Sequence, residues 1–498
     1  MKKRILRIVC LMLCLCSLLA CFAACKKDEE EANDDTSVTT AGEAGDGFET
    51  DENGFVKDTI NRTLGGKEVR ILMDTSSLND VMPQEFTSGG NAIQDKAYTR
   101  NLNLAMRLEC TFKTFTAPGE WANMTEYITV AEKAGDNDID IICAFSLVPP
   151  LLQSRGLLSN LANLEYPQLE MPWWPESVRG WEHNGAIYYV SNTSSNRVIR
   201  AQEVVFANTA MINNDPDLEP LEQLVIDGKW TLDVMLDYAK TVTTDTTLPE
   251  NERVYGLVAD DYSRMDQFYY GAGMSMTQVN ADGEIELTVF EQSAIDKTLK
   301  VIGKLGEIAG TPSFFIDNNN ASKLMEKQNA PMFMAGYMNL LLGLPDGSTY
   351  IPLPTPKYDA EEQTRYYTTP HNSYDVWCVP FTADNKEDSA LVIEAIASSD
   401  YREMAPYFYE DKLKMRYSES AQGMQIFDII RNATHVDFAR VAAKDMGIME
   451  GSFRLCFYKG GTSYDEGRYV TDLKPDTPGA KINALNMILT TFKLYKNQ

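Results

Sequence analysis

The stretch GDNDIDIICAFSLVPPLLQSRGLLSNL (Gly135–Leu161) sets a glycine and an acidic turn before the near-continuous apolar run Ile139–Phe145. The run is short and does not alternate, as expected of a strand covered on both faces. Such strands belong to parallel sheets, whose neighbours are joined by helical crossovers. The preceding chain supplies them. EVRILMD (Glu68–Asp74) reads as a strand ending in polar residues, and NAIQDKAYTRNLNLAM (Asn91–Met106) has helical spacing through Ile93, Ala97, Leu102 and Met106. RLECTFKTF (Arg107–Phe115) alternates as a second strand, and MTEYITVAEKAGDND (Met124–Asp138) reads as a helix closing near Gly135. A strand–helix–strand–helix–strand opening predicts an α/β lobe.

The pattern continues downstream. NGAIYYVSN (Asn184–Asn192) is a turn and short strand, and EVVFANTAMI (Glu203–Ile212) is a strand running into a helix. DGKWTLDVMLDYAKTV (Asp227–Val242) reads as a helix with Thr231 as N-cap and Trp230 stapling its entry. NADGEIELTVF (Asn280–Phe290) carries an Asp-Gly turn before an alternating strand. As a calcium loop it fails, because Gly283 at the glycine position puts Val289 where the last acidic ligand belongs. SAIDKTLKVIGKLGEIAG (Ser293–Gly310) is an amphipathic helix, APMFMAGYMNLL (Ala330–Leu341) a strand, and TYIPLPTPKYD (Thr349–Asp359) a proline-bounded edge segment. YYTTPHNSYDVWCVPFT (Tyr366–Thr382) alternates like a strand. Helical spacing returns at NKEDSALVIEAIASS (Asn385–Ser399) and around Ile482–Phe492.

The amino terminus reads differently. MKKR and Arg7 precede the apolar run Ile8–Leu19, which is shorter than the roughly 20 residues of a spanning helix. This is an export signal over residues 1–24. Small residues lead into cysteine twice, at Cys21 (LLAC) and Cys25 (FAAC), and both sites resemble the lipobox of bacterial lipoproteins. Cys25 is preferred, with Cys21 as the alternative, because the acidic segment Lys26–Gly47 starts directly after Cys25. Residues 25–60 are expected to be a flexible tether, too acidic and too poor in aromatics to pack. Acylation would hold the chain on the outer face of a cell membrane.

Loss of residues 1–24 removes Lys2, Lys3, Arg4 and Arg7 and takes the formal charge from −27 to −31. That balance argues against a nucleic-acid partner. Cys110, Cys143, Cys378 and Cys456 are widely spaced and are expected to be buried free thiols. Some 450 folded residues are more than one core holds, so two lobes are expected. No GxSxG, HExxH, Walker loop or strand-borne GxGxxG occurs, and His183, His371 and His435 have no metal-ligand spacing. Acids are too plentiful for carboxylate pairs to argue for or against glycoside hydrolysis.

Polar and aromatic residues recur where strands end: Asp74, Phe145-Ser146, Asn192-Thr193-Ser194, Asp261-Tyr262-Ser263-Arg264, Tyr337-Met338-Asn339, and His371-Asn372 with Tyr374 and Trp377. Ligands of open α/β sheets gather there, and sugars suit aromatic faces beside hydrogen-bonding side chains. Core packing is the alternative for each. Tandem Trp173-Trp174 in PWWP is read as surface or interlobe packing.

From about Gly66 to Val441 the order of these segments resembles extracellular solute-binding lipoproteins of ATP-binding-cassette importers, family 1, the carbohydrate-type branch. The resemblance rests on Gly135–Leu161, HNGAIYYVSN…EVVFANTAMI, DGKWTLDVMLDYAK, APMFMAGYMNLL…YIPLPTPKYD and YDVWCVPFTADNKEDSALVIEAIAS. It implies a two-lobed α/β fold of the periplasmic-binding-protein-like type II, with three interlobe crossings and a ligand cleft. Crossings are expected near Ile187–Asn192, Gly336–Asn339 and Asp375–Phe381. Lobe 1 is expected at 61–186 and 337–376, and lobe 2 at 187–336 and 377–498. It further implies a monomer without cofactor or catalysis, which captures a carbohydrate and hands it to the membrane subunits of a permease. The alternatives are a peptide or other polar solute on the same fold, or a surface carbohydrate-active enzyme.

Overall fold

The computed structural model describes residues 48–443 except 89–90, 120, 137, 317–323, 325–329, 346 and 410–420, together with 453–454, 456–457, 486, 489–494 and 496. These lie in the compact unit Ala44–Gln498. The export signal, Cys21, Cys25 and the tether up to Gly47 fall outside the described residues.

The described strands are β1 (Lys67–Met73), β2 (Cys110–Thr116), β3 (Ile141–Phe145), β4 (Tyr189–Val190), β5 (Glu203–Asn208), β6 (Tyr255–Ala259), β7 (Thr277–Val279), β8 (Ile285–Leu287), β9 (Phe314–Ile316), β10 (Pro331–Tyr337), β11 (Tyr350–Leu353) and β12 (Asp375–Cys378). They form two five-stranded sheets, ordered β2-β1-β3-β12-β4 and β11-β5-β10-β6-β9, and a β7-β8 hairpin. In the first sheet β1 runs parallel to β2 and β3, while β12 is antiparallel to β3 and β4. Residues Ile141–Ala144 are fully buried, as their unbroken apolar run requires. In the second sheet β10 and β9 are parallel to β6, and β5 is antiparallel to β10 and β11.

The crossovers follow the sequence pattern. Helix Ala92–Leu108 joins β1 to β2, capped by Asn91 and ended by Glu109 in the left-handed region at φ 49°. Its buried face is not the expected one. Ala97, Leu104 and Leu108 point inward, whereas Leu102 and Met106 are 48% and 70% exposed. Arg100 and Asn101 both donate to the Val81 carbonyl and so hold the helix rotated toward that carbonyl. Helix Leu232–Lys240 is capped by Thr231, and Trp230 is buried with its indole N–H on the Pro354 carbonyl at 2.8 Å. The Asp282-Gly283 turn closes β7 on β8, with Gly283 at φ 74° where a side chain would be strained. All four cysteines of the folded part are buried and free, as expected.

Three expectations are corrected. The lobe boundaries after residue 336 do not match sheet membership. Chain 337–353 stays with the second sheet, because β11 pairs with β5. Trp377 and Cys378 belong to the first, because β12 inserts between β3 and β4. Helix Lys386–Ser399 packs on Ala92–Leu108, and helix Ala421–Asn432 packs on β11 and on helix Leu221–Ile226. The chain therefore passes between sheets at Ser191–Gln202, at Pro354–Tyr374 and between Met404 and Ala421. Only the first passage falls near its expected place.

Secondly, residues 48–60 are packed rather than loose. Val56 is fully buried, and Phe55 meets the Tyr401 ring edge-on at 5.6 Å. The Asp58 carboxylate accepts from Arg107, Ser398 and Arg402. Burial alone would raise its pKa, but the two guanidinium groups hold it well below the usual carboxylate range. Thirdly, Trp173 and Trp174 are neither surface nor interlobe residues. Both are buried, and their indole N–H groups donate to the two oxygens of buried Glu394 at 3.0 and 2.9 Å.

Candidate functional site

Parallel and antiparallel pairing decides which strand ends share an edge. In the second sheet the carboxyl ends of β6 and β10 lie beside the start of β5, with Tyr337 directly opposite Glu203. That edge gathers Asp261, Tyr262, Arg264, Tyr337 and Glu203. In the first sheet the carboxyl ends of β1, β3 and β4 lie beside the start of β12, which gathers Asp74, Phe145, Ser146, Asn192 and Asp375. The segment Pro370–Tyr374 runs between the two edges. Its His371 N–H donates to Ala201, its ring lies 6.1 Å from Tyr337, and its Asn372 carbonyl accepts from Ser146 Oγ at 2.8 Å.

On the second sheet's edge the charges form a chain. Glu203, fully buried, takes Arg264 at 3.1 Å and Arg440 at 3.4 Å. Arg440 approaches Asp266 at 4.0 Å, and Asp266 also pairs with Arg454. The Arg264 guanidinium stacks 4.5 Å over Tyr337, and that of Arg454 lies 6.0 Å over Tyr262. Burial and the charges of Arg264 and Arg440 push the His371 pKa well down, so its imidazole is neutral at pH 7. Burial also lowers Arg454 and raises Asp375. A second interlobe tie is Arg200, which reaches Asp80 beside the first sheet at 2.9 Å and Asn339 beyond β10 at 2.7 Å.

Several buried polar atoms around these edges have no hydrogen-bond partner among the described residues. They are Glu203 Oε2, Arg264 Nε, Asp266 Oδ1, Asn192 Oδ1, Asn196 Oδ1, Arg197 Nε and Asn372 Oδ1. An orphaned buried polar atom costs about 1–3 kcal/mol. Among the described residues no cluster of three His, Cys, Asp or Glu side chains is placed to hold a metal.

The expected site residues divide. Arg264, Tyr337, Tyr262, Asp261 and Asn372 fall in or beside the cluster. Asp74 is an N-cap, its carboxylate occupied by the amides and hydroxyls of Ser76 and Ser77. Trp377 is buried with its indole on Asp375 at 3.1 Å, a core position in the middle of the sheet. Asn192 is turned to Asp400 at 3.3 Å but keeps its Oδ1 open. Ser194 is buried in the first passage, and Phe145 is half-buried at the end of β3. Missing from the sequence reading were Glu203, Asp266, Arg440 and Arg454. The signal for Glu203 was an acid opening a strand whose next four residues, Val204–Ala207, are apolar.

Two solved structures share this architecture at low identity. The galacto-N-biose/lacto-N-biose I-binding protein of an ABC transporter from Bifidobacterium longum, in complex with lacto-N-biose, is 10% identical with a TM-score of 0.53. The match covers 87% of this chain and 98% of that one. An ABC-transporter-associated binding protein from B. animalis subsp. lactis, in complex with β-1,6-galactobiose, is 13% identical with a TM-score of 0.52, covering 84% and 99%. The chain has the two-lobed fold of solute-binding proteins. No family model and no curated protein sequence matches it. In this fold Pro370–Tyr374 links the two edges, with His371 beside Tyr337 and Asn372 bonded to Ser146. A cavity of about 1090 Å³ lies elsewhere, and of the expected strand-end residues Thr193 lines it.

Proposed function

We propose that the chain is an extracellular substrate-binding lipoprotein that captures a sugar or oligosaccharide between two hinged lobes and delivers it unaltered to an ABC permease. The observation that carries this reading is the set of buried polar atoms without partners among the described residues at two sheet edges linked through Pro370–Tyr374, beside Tyr262, Tyr337 and Phe145. A hydroxyl both donates and accepts, so a polyol satisfies Glu203 Oε2, Asp266 Oδ1, Asn372 Oδ1 and Arg264 Nε at once. The flat C–H faces of a pyranose pack on tyrosine rings. Two neighbours in fold are described as bound to disaccharides, in support of the same class. Ligand touching both edges favours the closed arrangement by its differential contacts, and the closed form is the one a permease would read.

The working residues in this reading are Asp261, Tyr262, Arg264, Tyr337, Asn372, Phe145, Ser146 and Asn192, joined by Glu203, Asp266 and His371. Acylation at Cys25 keeps the monomer at the outer membrane face. Thermal-shift screening of neutral oligosaccharides against the mature chain tests the ligand class, because a native-state ligand raises the melting temperature. A panel in which no glycan shifts the transition while peptides do refutes it. Mass spectrometry of the membrane-extracted protein tests the anchor, and an unmodified Cys25 with an acylated Cys21 moves it by four residues.

A further inference from the structure

We propose that the groove lined by Glu176, Lys297 and Arg365, separate from the cleft above, is a second binding site for an acidic, carboxylate- or sulfate-bearing oligosaccharide. The groove holds about 1090 Å³ and is walled by Pro172–Gly180 on one side and by Gly273–Lys297 on the other, with Arg365, Tyr367 and Arg431–Phe438 as its floor. That volume exceeds a typical small-molecule pocket of about 300–1,000 Å³ and accepts several linked rings.

Its charge is opposite to that of the molecule. The chain carries −27, yet the groove presents Arg179, Lys297, Arg365 and Arg431 against Glu176, Glu291 and Asp437. Asp437 is already engaged by the Met276 amide, the Thr277 hydroxyl and the Ala439 amide. Arg179, Lys297 and Arg365 make no ion pair among the described residues. Lys297 instead lies 5.2 Å over the Tyr358 ring and Arg365 4.7 Å over Tyr367. Burial depresses the Lys297 pKa, an effect that a bound anion would reverse. Ser177 Oγ on the wall is a buried atom without a hydrogen-bond partner among the described residues. Serine and threonine hydroxyls recur along the lining, Thr193, Ser275, Thr288 and Ser293 among them, beside the apolar Met274, Val279, Val436 and Phe438. Unpaired guanidinium groups recognise carboxylate or sulfate oxygens bidentately, and the hydroxyl lining suits sugar rather than apolar cargo. Because the two walls belong to separate parts of the chain, an occupant would tie them together.

The test is calorimetric titration of the full mature chain with tetragalacturonate, a sulfated chondroitin tetrasaccharide, an uncharged galactan tetraose and penta-glutamate. The proposal expects at least one acidic tetrasaccharide to bind, with affinity falling as salt rises. In the double variant Arg179→Gln/Arg365→Gln that affinity falls tenfold or more, through loss of two charge-assisted contacts. In the cleft variant Tyr337→Ala it is unchanged, and neutral glycan binding is unchanged in the groove variant. Failure of both acidic tetrasaccharides to bind overturns the proposal. So does equal binding by the groove variant, loss in Tyr337→Ala instead, or stronger binding of penta-glutamate. None of these outcomes bears on neutral glycan capture by the cleft, which is read separately.

Discussion

Glu394 and Glu203 are both buried glutamates in the described core, and the contrast between them separates scaffold from site. Glu394 faces donors on every side: the indoles of Trp173 and Trp174 and the Gln168 amide at 3.2 Å. Glu203 has two arginines on Oε1 and, among the described residues, no hydrogen-bond partner on Oε2. The first carboxyl is closed by its own chain and fixes the loop before β4 to helix Lys386–Ser399. The second is half open, at the edge where Tyr337, Arg264 and Pro370–Tyr374 meet. Burial of an acid alone therefore says little about function; the state of its lone pairs says more.

The largest expected effect breaks the closed side of this comparison. Glu394→Ala leaves two indole N–H groups and an amide stranded, and should lower stability by about 3 kcal/mol in chemical denaturation. Glycan affinity measured on the remaining folded protein should not change. On the open side, Tyr337→Ala should weaken binding of the identified sugar by about 1–3 kcal/mol, tenfold or more, while the unliganded melting temperature stays within a degree or two. Calorimetry with the parent and the variant reads both numbers. A variant that binds normally would place the ligand away from this edge.

The pH dependence of stability sharpens the same contrast. Burial pushes Glu394 and Asp400 up to about 7, above ordinary values of 4.5 and 3.8. Between those values and about 7 the folded chain keeps protons that the unfolded chain releases, so stability should fall as pH rises through that window. Denaturation midpoints at pH 5, 6 and 8 check the slope, and Glu394→Gln should flatten part of it. Asp58 has the opposite sign: its contribution is present above pH 3.8 and disappears on acidification below that value. The smallest effect is at the surface. Arg62→Ala removes one partner of Asp388 where the arginine is 38% exposed, and should cost under about 1 kcal/mol.

Local physics made much of the fold readable. The near-continuous run Ile139–Phe145, the Thr231 cap and the Asp282-Gly283 turn each carry their conformation within a few residues, and each is found where expected. What was not readable depends on pairing between distant segments. Tyr350–Leu353 joins the second sheet only because β5 offers it an antiparallel edge, and Asp375–Cys378 joins the first only because β3 and β4 flank it. The same holds for the site. Strand ends pointed to a neighbourhood, but they could not show that Ser76 and Ser77 would claim Asp74, or that Arg440 would reach Glu203 across 237 residues.

The central claim is tested most directly by titrating neutral di- to tetrasaccharides into the mature chain and recovering the bound sugar for mass analysis. The account predicts a one-to-one complex, at least tenfold weaker in Tyr337→Ala, from which the sugar returns with its mass and linkage intact. A sugar recovered cleaved, or saccharide binding untouched by Tyr337→Ala, would contradict it.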